Sequence, residues 1–174
     1  MWYVALATAS ILTLPLVAML FTSEVNWGLF DFIVMGILLF GTGLTYILIS
    51  KMSDSFAYKS AVGVAVVAGL LLIWINLAVG IIGSEGNLAN LLYAGVFAVG
   101  IAGARIARLK PQGMARTMFT TALAQMLVPV IALIFWRTTL EDSPGILGVL
   151  IMNAFFAGLF IVSALLFRSV ARKV

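Results

Sequence analysis

Six apolar stretches alternate with short polar connections along the chain. Each stretch is about as long as the ~20 helical residues that cross the hydrocarbon core of a bilayer. The pattern therefore predicts an all-α fold, an integral membrane bundle of six transmembrane helices in a single domain. The predicted spans are residues 4–22, 28–49, 59–82, 88–107, 117–136 and 146–167.

The composition favours lipid surroundings for this bundle. Of the 174 residues, 64% are hydrophobic and only 9% are charged, whereas soluble domains carry about 25% charged residues. A soluble fold of this size lacks the polar groups to cover so much apolar surface. In lipid, by contrast, the outer face of a bundle can be as apolar as its core. No hydrophilic stretch is long enough to fold outside the membrane, so we expect a bundle without an extramembrane domain.

The placement of charge predicts the orientation. Nine of the ten basic residues fall in the second connection, the fourth connection or the C-terminal tail, and the other connections hold mainly acids. Because basic connections stay in the cytoplasm, we expect both termini inside. The basic side comprises Lys51, Lys59, Arg105, Arg108, Lys110, Arg116, Arg168, Arg172 and Lys173. The acidic side comprises Glu24, Glu85, Glu141 and Asp142, with Arg137 as its one base.

The first apolar stretch is expected to remain in the protein. It begins almost at Met1, no basic segment precedes it, and no small-residue cleavage site follows it. A secretory signal peptide has both a basic segment before its apolar run and a small-residue cleavage site after it. We therefore interpret this stretch as a transmembrane helix.

Two pairs of helices share local patterns. The first and fifth helices carry similar segments around Pro15 and Pro129. In the second and fourth helices, Asp31, Gly36 and Gly41 align with Asn90, Gly95 and Gly100. Two interpretations remain open: a repeated helical hairpin in one orientation, or chance similarity among apolar segments of low diversity.

Small residues recur on one face of the third and fourth helices. Spacings of three and four place them on a single helix face, and such faces let helices approach closely in lipid. We expect the two faces to pack against each other or against a common neighbour. The predicted packing residues are Ala65, Gly69, Gly80, Gly83, Ala94 and Ala98.

Five carboxylate or amide side chains fall within the predicted spans. Asp31, Asn76, Asn90 and Asn153 are expected in the outer half of the membrane, and Gln125 near the midplane. Polar groups in lipid need partners, and they often mark function. Two hypotheses remain open. The four outer residues line a polar cavity that opens to the outside, or each bonds a neighbouring helix.

The fourth connection is strongly basic. Arg105, Arg108, Lys110 and Arg116 lie within twelve residues of one another. A topology signal alone accounts for these charges. The alternative is contact with anionic lipid headgroups, to which each base contributes ~1 kcal/mol near the surface.

Several kinds of chemistry have no residues to support them. The chain contains no histidine and no cysteine, so the commonest metal and haem ligands, disulfides and thiol nucleophiles are missing. No lysine or carboxylate falls near the middle of a span, and no base accompanies the serines and threonines. We therefore expect no enzymatic activity, no metal and no cofactor.

Two segments resemble parts of small uncharacterised bacterial multi-pass inner-membrane proteins. They are Trp74–Asn90, WINLAVGIIGSEGNLAN, and Gly113–Gln125, GMARTMFTTALAQ. The likeness extends from about Trp27 to Ile134. The resemblance implies a bacterial inner membrane, and it carries over no activity, cofactor or functional residue.

The first functional hypothesis is a non-enzymatic accessory subunit or a self-associating helical bundle. The alternative is a small oligomeric transporter or channel with an outward-facing polar cavity. The expected partners are the lipid bilayer and either further copies of the chain or an unidentified membrane partner subunit. No nucleic-acid partner is expected.

Overall fold

A computed structural model describes residues 1–136 and 144–172. Within these ranges the chain is all-α, and six of its helices are long and apolar enough to cross a membrane. The predicted fold class of a multi-pass helical membrane protein is thus confirmed. Arg137, Glu141, Asp142 and Lys173, which the orientation prediction used, lie outside the described residues. The helices are α1 (Trp2–Phe21), α2 (Leu29–Ser50), α3 (Phe56–Ala78), α4 (Leu92–Ile106), α5 (Pro111–Phe135) and α6 (Gly145–Ala171), with a 3-10 helix at Leu88–Leu91 before α4.

Four helix boundaries differ from the prediction by four residues or more, and one of them is the start of α4 at Leu92 instead of residue 88. The third helix ends at Ala78 instead of residue 82, because Gly80 adopts a left-handed conformation with φ of 70°. The fifth helix begins at Pro111 instead of residue 117. Proline suits the first turn of a helix, and the exposed side chain of Arg116 does not interrupt it. The sixth helix continues to Ala171 instead of residue 167.

The predicted single domain consists of two compact units, Met1–Leu48 and Ile49–Val174. In the first unit, glycines let α1 and α2 approach each other. A Cβ atom added to Gly43 would lie 2.7 Å from Cγ1 of Val4, and one added to Gly36 would lie 3.6 Å from Leu12. These two contacts run in opposite directions along the helices, so the pair is antiparallel. Most other side chains of α1 are exposed.

The second unit is built around α5 and α6. Helix α6 packs between α5 and α3, and α5 also packs against α4. Ser163 of α6 donates a hydrogen bond to the carbonyl of Ala61 in α3 at 2.8 Å. The ring of Tyr58 in α3 meets Phe167 in α6 edge to face. These contacts place the start of α3 beside the end of α6.

A glycine face of α4 packs against a threonine face of α5. A Cβ atom added to Gly103 would lie 2.6 Å from the methyl group of Thr117, and one added to Gly100 would lie 3.5 Å from the hydroxyl of Thr121. Both threonine hydroxyls donate to the carbonyl four residues earlier. Small residues on α4 thus allow a close approach in which the hydroxyls remain hydrogen bonded.

The predicted packing residues have three different outcomes. On α3, Ala65 is half-buried against the core, and a Cβ atom added to Gly69 would contact Phe97. Gly80 and Gly83 are not on a helix face, since both lie in the following loop with positive φ. On α4 the packing prediction is wrong: Ala94 and Ala98 are exposed. Alanines marked one face of α4, whereas the glycines on the other face make the contact.

The apparent repeat gains no support from the surroundings of its aligned glycines. Within 4 Å, a Cβ atom added to Gly36 would meet Leu12, but one added to the aligned Gly95 would meet nothing. For the next pair the situation is reversed. An added Cβ would meet nothing near Gly41, whereas near Gly100 it would meet Thr121. The two helices therefore use corresponding positions differently.

Candidate functional site

A buried cluster of three polar side chains joins α4, α5 and α6. Its centre is Asn153 of α6, which is fully buried. The Asn153 Oδ1 accepts from Nε2 of Gln125 at 3.0 Å and from the hydroxyl of Tyr93 at 3.3 Å. Its Nδ2 donates to the Tyr93 oxygen at 3.0 Å and to the carbonyl of Val149 at 2.8 Å. The cluster therefore uses the donors and the acceptor of this amide to connect three helices.

The cluster lies deep in the unit. Asn153 is eight residues from the start of α6, which is about 12 Å along the helix axis at 1.5 Å per residue. Gln125 lies near the middle of α5 and is fully buried. Hydrogen bonds between helices in lipid contribute about 0.6 kcal/mol on average and at most about 1.7. Three such contacts at one depth fix the rotation of each helix about its axis.

Gln125 also carries an unpaired acceptor. Its Oε1 is buried and has no hydrogen-bond partner among the described residues. Pro129 lies one turn later in α5 and is buried too. Proline has no N–H group, so it cannot donate to the main-chain carbonyl of Gln125, four residues earlier. The side-chain Oε1 of Gln125 therefore has no donor in the cluster, and its main-chain carbonyl has no donor four residues later in the helix.

Asn90 organises the loop between α3 and the 3-10 helix. Its Oδ1 accepts from the backbone N–H groups of Ile81 and Ile82, at 3.2 and 2.9 Å. Its Nδ2 donates to the carbonyls of Ile82 and Ser84, at 3.2 and 2.8 Å. The two isoleucine side chains are buried in the core cluster. A single amide thus replaces the backbone hydrogen bonds that α3 would have provided had it continued.

The other two residues of the predicted polar cavity make local contacts. Asn76 donates from Nδ2 to the carbonyl of Leu72 at 2.8 Å, and its buried Oδ1 has no partner within the described ranges. Asp31 is exposed, and its Oδ2 accepts from the N–H of Gly28 at 2.8 Å, at the start of α2. Asp31 belongs to the first unit and the three asparagines to the second. Of the four, only Asn153 bonds neighbouring helices within the described residues, whereas Asn90 bonds the loop that precedes it.

The four basic residues of the fourth connection surround one tight turn. Arg108 and Leu109 both have positive φ, 48° and 57°. The N–H of Arg108 donates to the carbonyl of Arg105 at 3.1 Å, and that of Leu109 donates to the carbonyl of Ala104 at 3.3 Å. This is the Schellman pattern that closes a helix, with arginine where glycine is usual. Arg105, Arg108, Lys110 and Arg116 are all exposed.

Sequence reasoning missed the two tyrosines that hold the unit together. Tyr93 completes the amide cluster, and Tyr58 donates from its hydroxyl to the carbonyl of Leu109 at 2.7 Å. Both are almost fully buried. Tyr58 lies near the start of α3, and tyrosines near helix ends are common at membrane interfaces. The spacing of Thr117, Thr121, Gln125 and Pro129 by four residues was a usable signal for the buried face of α5.

The described residues contain no group of three or more acidic, histidine or cysteine side chains arranged to hold a metal ion. Comparison of this chain with protein-family models, curated proteins and solved structures gives no match.

Proposed function

We propose that this protein is a non-enzymatic membrane subunit that assembles with other helices through the outer face of α4. The observation that carries the proposal is the exposure of Ala94, Ala98 and Ala102 on that face. The opposite face of the same helix already packs against α5 through Gly100 and Gly103. Helix α4 therefore has one face for its own bundle and a second face of small residues that remains free.

The free face has the chemistry of a membrane helix contact. Its three alanines are spaced by four residues, and a Cβ atom added to the neighbouring Gly95 would meet nothing within 4 Å. Small residues at this spacing allow two helix backbones to approach closely, so that van der Waals contacts drive association. Lipid also covers apolar side chains, but lipid contact requires no small residues at this spacing.

The rest of the second unit is suited to serve as a rigid platform. The cluster around Asn153 fixes α4 relative to α5 and α6, and Gly103 packs directly against Thr117. Such contacts keep the outer face of α4 in one orientation. A subunit that binds by shape alone benefits from this rigidity, because less conformational freedom is lost on binding.

Native mass spectrometry of the gently extracted protein tests the assembly. We expect a mass larger than one chain, either a homo-oligomer or a complex with a reproducible partner subunit. Ala98→Leu should abolish the larger species because it places a bulky side chain in the contact. Ala154→Leu, a matched change at an exposed position of α6, should leave it intact. A monomeric natural protein, or equal effects of the two substitutions, would contradict the proposal.

A small oligomeric transporter or channel is the second candidate. The observation that favours it is the buried, unpaired Oε1 of Gln125, which lies beside Pro129 at a polar cluster. Unsatisfied acceptors at membrane depth are expensive, and they mark solute or ion pathways in transporters. Flux of small polar solutes into proteoliposomes tests this function. A flux that Gln125→Leu abolishes and Ala154→Leu spares would favour transport over simple assembly.

The proposed location is the bacterial inner membrane with both termini in the cytoplasm. In the second unit, the turn after α4 is basic and the loop after α3 carries Glu85, which agrees with this orientation. Because the chain has no cysteine, single cysteines can report it. A membrane-impermeant maleimide should label Ser84→Cys in intact cells and Ser53→Cys only after lysis. The reverse result would invert the topology.

A further inference from the structure

The turn after α4 has a backbone conformation that its sequence does not favour. Arg108 and Leu109 are consecutive non-glycine residues with φ of 48° and 57°. Only glycine adopts this region readily, and other residues there persist where the surrounding structure imposes the conformation. Such strain clusters at functional sites, so the turn is a candidate for one.

The contacts that impose this conformation come from the interior of the unit. The hydroxyl of Tyr58 donates to the carbonyl of Leu109 at 2.7 Å, and Tyr58 is fully buried against Phe167. The side chain of Leu109 is half-buried against the same core. A Cβ atom added to Gly113 would lie 2.7 Å from that of Ala107, so the two arms of the turn are also in close contact. Contacts with the interior of the second unit therefore hold the turn in this conformation.

The bases at this turn have no acidic partner among the described residues. Arg105, Arg108, Lys110 and Arg116 are exposed, and none forms an ion pair with a described residue. Asp54, four residues before Tyr58, pairs with Lys59 at 3.8 Å. The contact between Tyr58 and Phe167 brings the end of α6 to the same end of the unit, and Arg168 and Arg172 add two further exposed bases.

We propose that the turn around Arg108 is a binding site for the phosphate of an anionic phospholipid headgroup. The turn lies at the end of a membrane-spanning hairpin, where lipid phosphates are abundant. Arginine forms paired hydrogen bonds to phosphate oxygens, so a guanidinium held in a fixed position is a suitable ligand. Arg105, Lys110 and Arg116 supply the surrounding positive field, which attracts anionic lipids.

A topology signal alone does not account for these features. Orientation depends on the number of basic residues near the ends of the spans. It requires neither a left-handed pair of bulky residues nor a buried tyrosine that holds their carbonyl. The fixed conformation places Arg108 at one defined position on the surface. A defined position is needed to bind a headgroup, but it has no effect on membrane orientation, which depends only on the number of basic residues.

Titration of the detergent-solubilised full chain with dioctanoyl phosphatidylglycerol tests the site, with binding read by native mass spectrometry. Dioctanoyl phosphatidylcholine is the lipid control. We expect tighter binding of the anionic lipid. Arg108→Gly should weaken it about five-fold or more, which is ~1 kcal/mol per base converted to a dissociation constant. Arg172→Gln removes the same charge at this end of the unit but outside the turn, so it should weaken binding less than Arg108→Gly does, because only diffuse attraction is lost.

Two further variants separate a fixed site from diffuse attraction. Arg108→Lys keeps the charge but loses the paired hydrogen bonds, and Tyr58→Phe keeps every charge but releases the turn. Both should weaken binding of the anionic lipid. Equal weakening by Arg108→Gly and Arg172→Gln, or an unaffected Arg108→Lys, would show diffuse attraction and overturn the proposal. Full displacement of the lipid by millimolar inorganic phosphate would overturn the assignment to a lipid, since the site would then bind the free anion.

Discussion

The loop after α3 and the turn after α4 both reverse the chain through left-handed residues, but they use different residues to do so. The loop uses Gly80 and Gly83, and the turn uses Arg108 and Leu109. Glycine adopts this conformation without steric conflict. For other residues it costs roughly 1–2 kcal/mol each. The turn therefore depends on tertiary contacts for its shape, whereas the loop begins with residues that favour its shape locally.

The side chains that stabilise the two segments also differ. Asn90 makes four hydrogen bonds to the loop. Tyr58 makes one hydrogen bond to the turn, and the buried part of Leu109 adds apolar contact. The loop is thus stabilised by many local bonds within ten residues of sequence. The turn is stabilised by a single long-range bond, so its conformation reports on the packing of α3.

The largest effect is expected from Gly80→Ala. A Cβ atom there would overlap the carbonyl of Ser84, which is one of the groups that Asn90 bonds. Together with the left-handed backbone, this should lower the free energy of unfolding by roughly 4 kcal/mol. Unfolding in mixed dodecylmaltoside and SDS micelles measures it. Gly83→Ala is the control, since it adds a side chain at a similar left-handed backbone, and that strain should lower the free energy of unfolding by about 1 kcal/mol.

Asn90→Ala should have the next largest effect. The substitution leaves two backbone N–H groups and two carbonyls of the loop without partners. We expect a loss of roughly 2–3 kcal/mol, because unsatisfied groups that remain buried cost about 1–3 kcal/mol each and some will reach water. The same micelle titration measures the change. Asn87→Ala removes one cap bond, to the N–H of Ala89, and should cost about 1 kcal/mol. Equal losses would mean that Asn90 acts as a cap only.

Hydropathy was sufficient to predict six helices, because each contains a strongly apolar stretch of 18 residues. It failed at the end of α3, where Ile81 and Ile82 are apolar but lie in a buried loop. Periodicity alone does not distinguish a buried loop residue from a helical one. The start of α5 at Pro111 was missed for the opposite reason, since polar and basic residues in its first turns resemble a connection.

The polar residues were found individually, but their partners were not. Asn153 and Gln125 were recognised because an amide in an apolar span is conspicuous. Their contact depends on the rotation of two helices, which the sequence does not specify. Tyr93 was not selected because a tyrosine near a helix end is ordinary in membrane proteins. On α4 the alanine face was predicted to pack, whereas the glycine face does so. Alanine and glycine are both small, and only the contact of Gly103 with Thr117 distinguishes the two faces.

Tyr58→Phe tests how much the hydrogen bond to Leu109 contributes to the stability of the turn. The variant keeps the ring contact with Phe167 and loses only the hydrogen bond to Leu109. The free energy of unfolding should fall by about 1 kcal/mol, the usual net contribution of one hydrogen bond. The backbone amides of Arg108 and Leu109 should also exchange hydrogen faster. Unchanged exchange in the turn would mean that packing of the Leu109 side chain is sufficient to hold it.

The smallest effect, and the one of opposite sign, is expected from Arg108→Gly. Glycine fits the left-handed position at the end of α4 and removes strain of about 1–2 kcal/mol. Its greater freedom in the unfolded chain offsets part of that gain, so the net stabilisation should be about 0.5 kcal/mol. The same micelle titration measures it. Arg105→Gly, within the last helical turn, should destabilise instead, because glycine there lowers helix propensity by about 1 kcal/mol. If Arg108→Gly also destabilised the protein, the arginine side chain would itself contribute to the fold, and its place in the turn would need no functional explanation.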